Sequence, residues 1–254
     1  MFEDAPDHFG TSFAGQTLDW MPTDTAERFA ELMQEPLHRR YFEGQGWHQP
    51  GAITYRINSH GFRCAELSND PCVLALGCSF TVGIGLPVEA IWPELVGKSL
   101  GLQVVNLAWG GYSADTCFRL AEYWVPRLRP ELVVMMAPPC SRFELLLDRD
   151  LLAHHHRDQP FEVIMPASQS PLVTDSPLIR HWFGNEENQR LNGVRNRLAV
   201  QALCDLHRVR CVTDDVIRHM CWSTEDIGYA RDFLHGGPLA HRRIADWILN
   251  ELKN

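Results

Sequence analysis

Four residues have the types and spacing that ester or acyl chemistry needs: Ser79, Gly111, Asp232 and His235. A serine hydroxyl is a weak nucleophile until an imidazole takes its proton. The imidazole is held in the working tautomer when a carboxylate binds its other nitrogen. Asp232-Phe233-Leu234-His235 puts an acid and an imidazole three residues apart, so a single turn presents both. Backbone N–H groups at Ser79 and Gly111 would then face a developing oxyanion. Each residue also has an ordinary reading. Ser79 is equally suited to capping a helix, Asp232 to closing a turn, and His235 is one of twelve histidines. The thiol of Cys78, beside Ser79, is a second candidate nucleophile, read here as a packed residue near a strand end.

These residues sit where strands and helices alternate. Cys72–Leu76 is a short apolar run of the kind buried on both faces of a parallel sheet. Leu102–Leu107 and Leu132–Ala137 read as further strands, as do Phe161–Met165 and Val209–Thr213. Helices are expected over Ile91–Leu100, with Pro93 in the first turn. Others are expected over Ser113–Leu128, with Ser113 as cap and Pro130 as stop, over Glu186–His207 and over Pro238–Leu252. In the Glu186–His207 helix, Leu191, Val194, Leu198 and Ala202 form the apolar stripe. In the last helix Ile244, Trp247 and Ile248 face inward. The alternation predicts an α/β fold with a mostly parallel sheet covered on both faces, and ligands in such sheets bind beyond the carboxyl ends of the strands. Ser79, Gly111 and the loop carrying His235 all fall at that edge. The first 60 residues are irregular, with one amphipathic helix from about Asp24 to Arg40 and a strand at Ile53–Asn58 that ends in the turn Ser59-His60-Gly61.

Composition narrows the function classes. The 254 residues are 45% hydrophobic and 22% charged, an ordinary globular balance. A net charge of -9 with no Lys/Arg run argues against nucleic acid as a partner. No apolar run approaches membrane-spanning length, and the acidic opening Met1-Phe2-Glu3-Asp4 lacks the apolar core of a signal peptide. The expectation is a cytoplasmic protein. Its eight cysteines, with no CxxC pair, are expected to be reduced thiols rather than disulfides or zinc ligands. His154-His155-His156 reads as a surface loop, because three consecutive histidines do not converge on one ion. Trp109, Trp182, Phe183 and Trp222 read either as core or as the lining of an apolar pocket.

The pattern resembles the SGNH (GDSL-like) hydrolase family. Gly77-Cys78-Ser79 is similar to its first block, with Cys78 where many members have Asp. Asn106 through Gly111 is similar to the second block, with Asn106 read as a brace for loop backbone. Asp232-Phe233-Leu234-His235 ahead of a terminal helix is similar to the fifth. The order holds over residues 72–252. The third block departs, since the family's Asn-bearing loop is replaced by Pro138-Pro139-Cys140-Ser141-Arg142-Phe143. In the family that Asn donates to the oxyanion, so Ser141 or Arg142 is the replacement donor to consider.

The resemblance implies a three-layer α/β/α, flavodoxin-like core at residues 71–254, with residues 1–70 packing on it as an extension. It implies a serine hydrolase with Ser79 as nucleophile, His235 as base and Asp232 as the residue that orients His235. The N–H groups of Ser79 and Gly111 would form the oxyanion hole, with no cofactor and no metal. The expected substrate is a small-molecule, carbohydrate or lipid ester with an acetyl or short acyl group. An acyltransferase of the same fold, or a weakly catalytic binding or assembly module, are the alternatives.

Overall fold

A computed structural model describes residues 5–49, 51–147, 160–165, 176–220 and 228–253. Four parallel strands form its central sheet: β3 (Cys72–Leu76), β4 (Gln103–Asn106), β5 (Leu132–Ala137) and β8 (Arg210–Asp215). Their order is β4-β3-β5-β8. Val73 pairs with Val104 on one side and with Leu132 on the other, and Leu132 pairs with Arg210. The first two core strands are thus transposed relative to chain order, as in flavodoxin-like sheets, and the switch point lies beside β3. Every residue of β3 and β5 is buried, as the continuous apolar runs required.

Helices cover both faces. On one, α4 (Trp92–Leu100) packs against the terminal helix α9 (Pro238–Glu251); on the other, α5 (Ala114–Leu128) packs against α7 (Glu186–His207). Ser113 caps α5 by accepting the Thr116 N–H, and Pro93 sits in the first turn of α4, where its missing N–H costs nothing. The layers are therefore helix, sheet, helix, an α/β fold of the doubly wound kind. Among the described residues, no helix is long and apolar enough to cross a membrane.

Several expectations are corrected. The helix expected over Asp24–Arg40 is two helices, α1 (Ala26–Leu32) and α2 (Pro36–Gln45). Pro36 has no N–H to donate and its ring clashes with the preceding turn, so the chain restarts there. The buried face of α7 is Asn192, Gly193, Asn196, Val200 and Cys204, while Leu191 and Leu198 are exposed. The Asp115 carboxylate sets this rotation: its Oδ2 accepts from Asn192 and its Oδ1 from Asn196. One carboxylate thereby satisfies two buried amides that would otherwise lack partners. Third, Phe161–Ile164 (β7) does not join the central sheet; it pairs antiparallel with β6 (Phe143–Leu146), a strand with no clear sequence signal.

The short strands β1 (Thr17–Leu18) and β2 (Tyr55–Arg56) pair antiparallel, and the strand expected over Ile53–Asn58 is confined to Tyr55–Arg56. Phe42, Trp47, Ile53, Tyr55, Ile57 and Phe62 are buried in the same apolar cluster as the sheet. A groove of about 700 Å³ lined by Leu100, Leu102, Leu132 and Leu252 lies under the amino ends of the strands. It is at the opposite edge from Ser79.

Candidate active site

The turn after β3 is built around an absent side chain. A Cβ at Gly77 would lie 2.1 Å from Thr81 Oγ1 and 3.0 Å from the Met136 carbonyl. Only glycine lets the chain pass between β5 and the one-turn helix α3 (Ser79–Val82), where Ser79 is the first residue. Cys78 precedes it as the extended N-cap and is completely buried. Asn106, at the end of β4, donates to the Thr81 carbonyl at 3.1 Å and accepts the Ala108 N–H at 3.2 Å. The second loop is thereby tied to the serine turn, and Asn106 is a brace. Beyond it Gly111 has φ 87°, a left-handed backbone that other residues rarely adopt. Among the described residues, the N–H groups of Ser79 and Gly111 donate to no protein acceptor.

Asp232 and His235 are both buried and in direct contact, with His235 Nδ1 2.6 Å from Asp232 Oδ2. The other carboxylate oxygen accepts the N–H groups of Leu234 at 3.0 Å and His235 at 3.2 Å, which closes the turn. Asp232 thus closes the turn with one oxygen and meets the imidazole with the other. Burial opposes its charge, but the hydrogen bond and charge of His235, then the Thr23 hydroxyl and the Leu234 N–H, hold its carboxyl below the usual value. An ionised carboxylate only accepts, so Nδ1 of His235 carries the proton and Nε2 is the basic nitrogen.

The loop meets the serine turn through two contacts. The Arg231 N–H donates to the Gly85 carbonyl at 2.8 Å, just past α3. The ring of Phe80, next to Ser79, meets the His235 ring edge-on at 4.7 Å between centroids. Among the described residues, Ser79 Oγ makes no hydrogen bond, so Ser79 and His235 share the edge without a direct bond. Such bonds commonly tighten only when substrate is present.

At the third block, Arg142 Nη1 donates to the Tyr112 carbonyl at 3.3 Å, which lays the guanidinium against the loop of Gly111. Ser141 is half-buried and its side chain makes no hydrogen bond among the described residues. Cys140 turns the other way, its Cβ 3.1 Å from where a Cβ on Gly193 of α7 would lie. Trp109 is buried and stacked on Phe13, a packing role. Trp182 and Phe183, half-buried, gather around Phe143. Trp222 and His154-His155-His156 lie outside the described residues. Thr23 also belongs to the site, its hydroxyl donating to Asp232 Oδ2 at 2.7 Å. Nothing in the local pattern marked it, because the two residues are 209 positions apart.

No protein-family model matches the sequence, and no curated protein does. Several solved structures are similar. The psychrotrophic esterase EstA from Pseudoalteromonas sp. is 12% identical with a TM-score of 0.38, over 72% of this chain and 97% of that one. A lipase/acylhydrolase from Enterococcus faecalis is 14% identical with a TM-score of 0.37, over 72% and 95%. A GDSL-like lipase from Bacteroides thetaiotaomicron is 14% identical with a TM-score of 0.33, over 71% and 87%. The chemistry of the site rests on its own geometry. In its mostly parallel, helix-covered sheet and in the order of Ser79, Gly111 and Asp232–His235 along the chain, the protein resembles the SGNH hydrolases.

Proposed function

We propose that the protein is a serine esterase acting on small carboxylic esters through an acyl-enzyme on Ser79. The observation that carries this reading is the 2.6 Å His235–Asp232 pair, buried and docked against the turn that bears Ser79. Ser79 Oγ attacks the ester carbonyl while its proton passes to His235 Nε2, and Asp232 stabilises the imidazolium on its far side. The tetrahedral oxyanion lies between the N–H groups of Ser79 and Gly111. Collapse breaks the bond to the alcohol, which leaves with the proton from His235. Water then attacks the acyl-serine with His235 again as base, releasing the acid and restoring Ser79. No step calls for a metal or cofactor. Acetyl and short acyl esters of sugars, lipids or small molecules are the proposed substrates.

Arg142 stands in for the missing third-block donor in this scheme. Its side chain already rests on the carbonyl one residue beyond Gly111. Replacing Arg142 with alanine is expected to lower kcat on p-nitrophenyl acetate by roughly 10²-fold, with KM little changed. Turnover within twofold of wild type would remove Arg142 from the oxyanion site. The acyl-enzyme itself is tested by acid-quenching the reaction and locating an acetyl adduct by peptide mass spectrometry. An adduct on Ser79 supports the scheme, whereas steady turnover with no adduct, or with one elsewhere, contradicts it.

A further inference from the structure

Asp232 receives one partner from far outside its own loop. Thr23 Oγ1 donates at 2.7 Å to Oδ2, the same oxygen that meets His235 Nδ1. Because Oδ1 is occupied by two N–H groups of the turn, the Thr23 hydroxyl completes the set that fixes the carboxylate plane. Thr23 is held in an unusual way to do this: its φ is 75°, a left-handed conformation that β-branched residues avoid. Strain of this kind persists only where the surroundings impose it, and it gathers at functional sites.

The surroundings here are extensive. Arg28 Nε donates to the Asp232 carbonyl at 2.5 Å. Asp24, next to Thr23, takes a two-pronged bond from Arg231, next to Asp232, at 2.9 and 2.7 Å. Arg231 also lies over the Trp20 ring, 4.3 Å from its centroid. Tyr55 links the same Asp24 carboxylate to the Gly85 N–H. Arg63, buried under the serine turn, donates to the carbonyls of Val82, Gly83 and Leu86. One segment of chain, residues 20–63, therefore grips both the acid–histidine loop and the turn that carries Ser79.

We propose that Thr23 is a positioning residue of the active site, its hydroxyl locking Asp232 in the orientation that directs His235 toward Ser79; this rests on the esterase reading above. Residues 1–70 are then a working part of the site rather than an added cover. A purely structural threonine would affect stability and leave the acid–histidine bond as it is. A positioning threonine would affect that bond.

The test compares Thr23→Val, which keeps the shape and loses the hydroxyl, with Thr23→Ser, which keeps the hydroxyl. Two measurements are made: steady-state kinetics on p-nitrophenyl acetate, giving kcat and KM, and the low-field proton resonance of His235 Nδ1–H in the resting protein. Thr23→Val is expected to lower kcat roughly ten- to hundredfold with KM within about twofold, and to shift or broaden the low-field resonance. Thr23→Ser is expected to restore both. A Thr23→Val protein with wild-type kcat and an unmoved resonance would overturn the proposal, as would a Thr23→Ser protein as impaired as Thr23→Val. The resonance does not depend on turnover. If no ester is hydrolysed but the resonance responds as described, the esterase reading fails and the Thr23–Asp232 coupling stands. If esters are hydrolysed and the resonance does not respond, only the role of Thr23 is lost.

Discussion

Replacing His235 with alanine is expected to reduce ester turnover by about 10⁴-fold, with the fold retained. The size follows from what His235 does in the scheme: it takes the Ser79 proton in one half-reaction and activates water in the other. Its loss removes general-base assistance from both, leaving only substrate binding and the oxyanion N–H groups. The fold should survive because the ring makes one hydrogen bond among the described residues, at Nδ1, and one edge contact with Phe80, while the turn is closed by bonds of its own backbone N–H groups. These run from the Ala230 N–H to the His235 carbonyl and from the Leu234 and His235 N–H groups to Asp232 Oδ1. The measurement is kcat on p-nitrophenyl acetate beside a denaturant midpoint. A drop of less than about tenfold, with an unchanged midpoint, would mean that His235 is not the base. Asp232→Asn should be nearly as damaging. Its amide nitrogen would place a donor against His235 Nδ1, which favours the tautomer whose proton sits on Nε2 and leaves no base facing Ser79.

Acid is expected to weaken the fold well above the range where carboxylates titrate. Two buried histidines are responsible. His241 accepts the Trp92 N–H on Nδ1 at 3.0 Å, and His8 accepts the Gly10 N–H on Nδ1 at 3.2 Å. A donor aimed at a ring nitrogen leaves no room for a proton there, and burial penalises the charge as well. Burial is the leading cause in both cases, drawing His8 down to about 4 and His241 to about 3. With folded values below the unfolded value, the unfolded chain binds protons first. Stability is therefore complete above about pH 6.5 and falls as the pH drops toward 4 for His8 and 3 for His241. By pH 5 each histidine is expected to have cost about 2 kcal/mol, so the pair about 4 kcal/mol. Denaturant titrations at pH 7, 6 and 5 should show this fall, and His241→Asn, whose amide oxygen can still take the Trp92 N–H, should remove about half of it. A stability unchanged from pH 7 to pH 5 would contradict the assignment.

What could be read from sequence, and what could not, divides along the range of the interactions involved. The strands Cys72–Leu76 and Leu132–Ala137 were legible because burial on both faces demands an unbroken apolar run. Ser113 was legible as a cap because its hydroxyl serves an N–H three residues away. The Asp232–His235 pair was legible for the same reason, both members lying in one turn. The rotation of α7 was not, because it depends on Asp115, some 80 residues earlier, rather than on the leucines of the helix itself. The pairing of β6 with β7 joins segments with a weak local signal. The grip of Thr23, Asp24 and Arg28 on the acid–histidine loop is likewise invisible in any window of sequence, although each residue was in plain view. The break at Pro36 is a local signal masked by the helical spacing of Phe29, Leu32, Met33 and Leu37 on either side of it.

The most direct measurement is covalent. An alkyl fluorophosphonate phosphonylates a serine made nucleophilic by its surroundings, losing fluoride as the bond to Oγ forms, and intact-protein mass spectrometry counts the adducts. One adduct per chain is expected, mapped to Ser79, absent in Ser79→Ala and strongly slowed in His235→Ala. A folded wild-type protein that takes no adduct, or takes it at another residue, would contradict the assignment of Ser79 as the nucleophile.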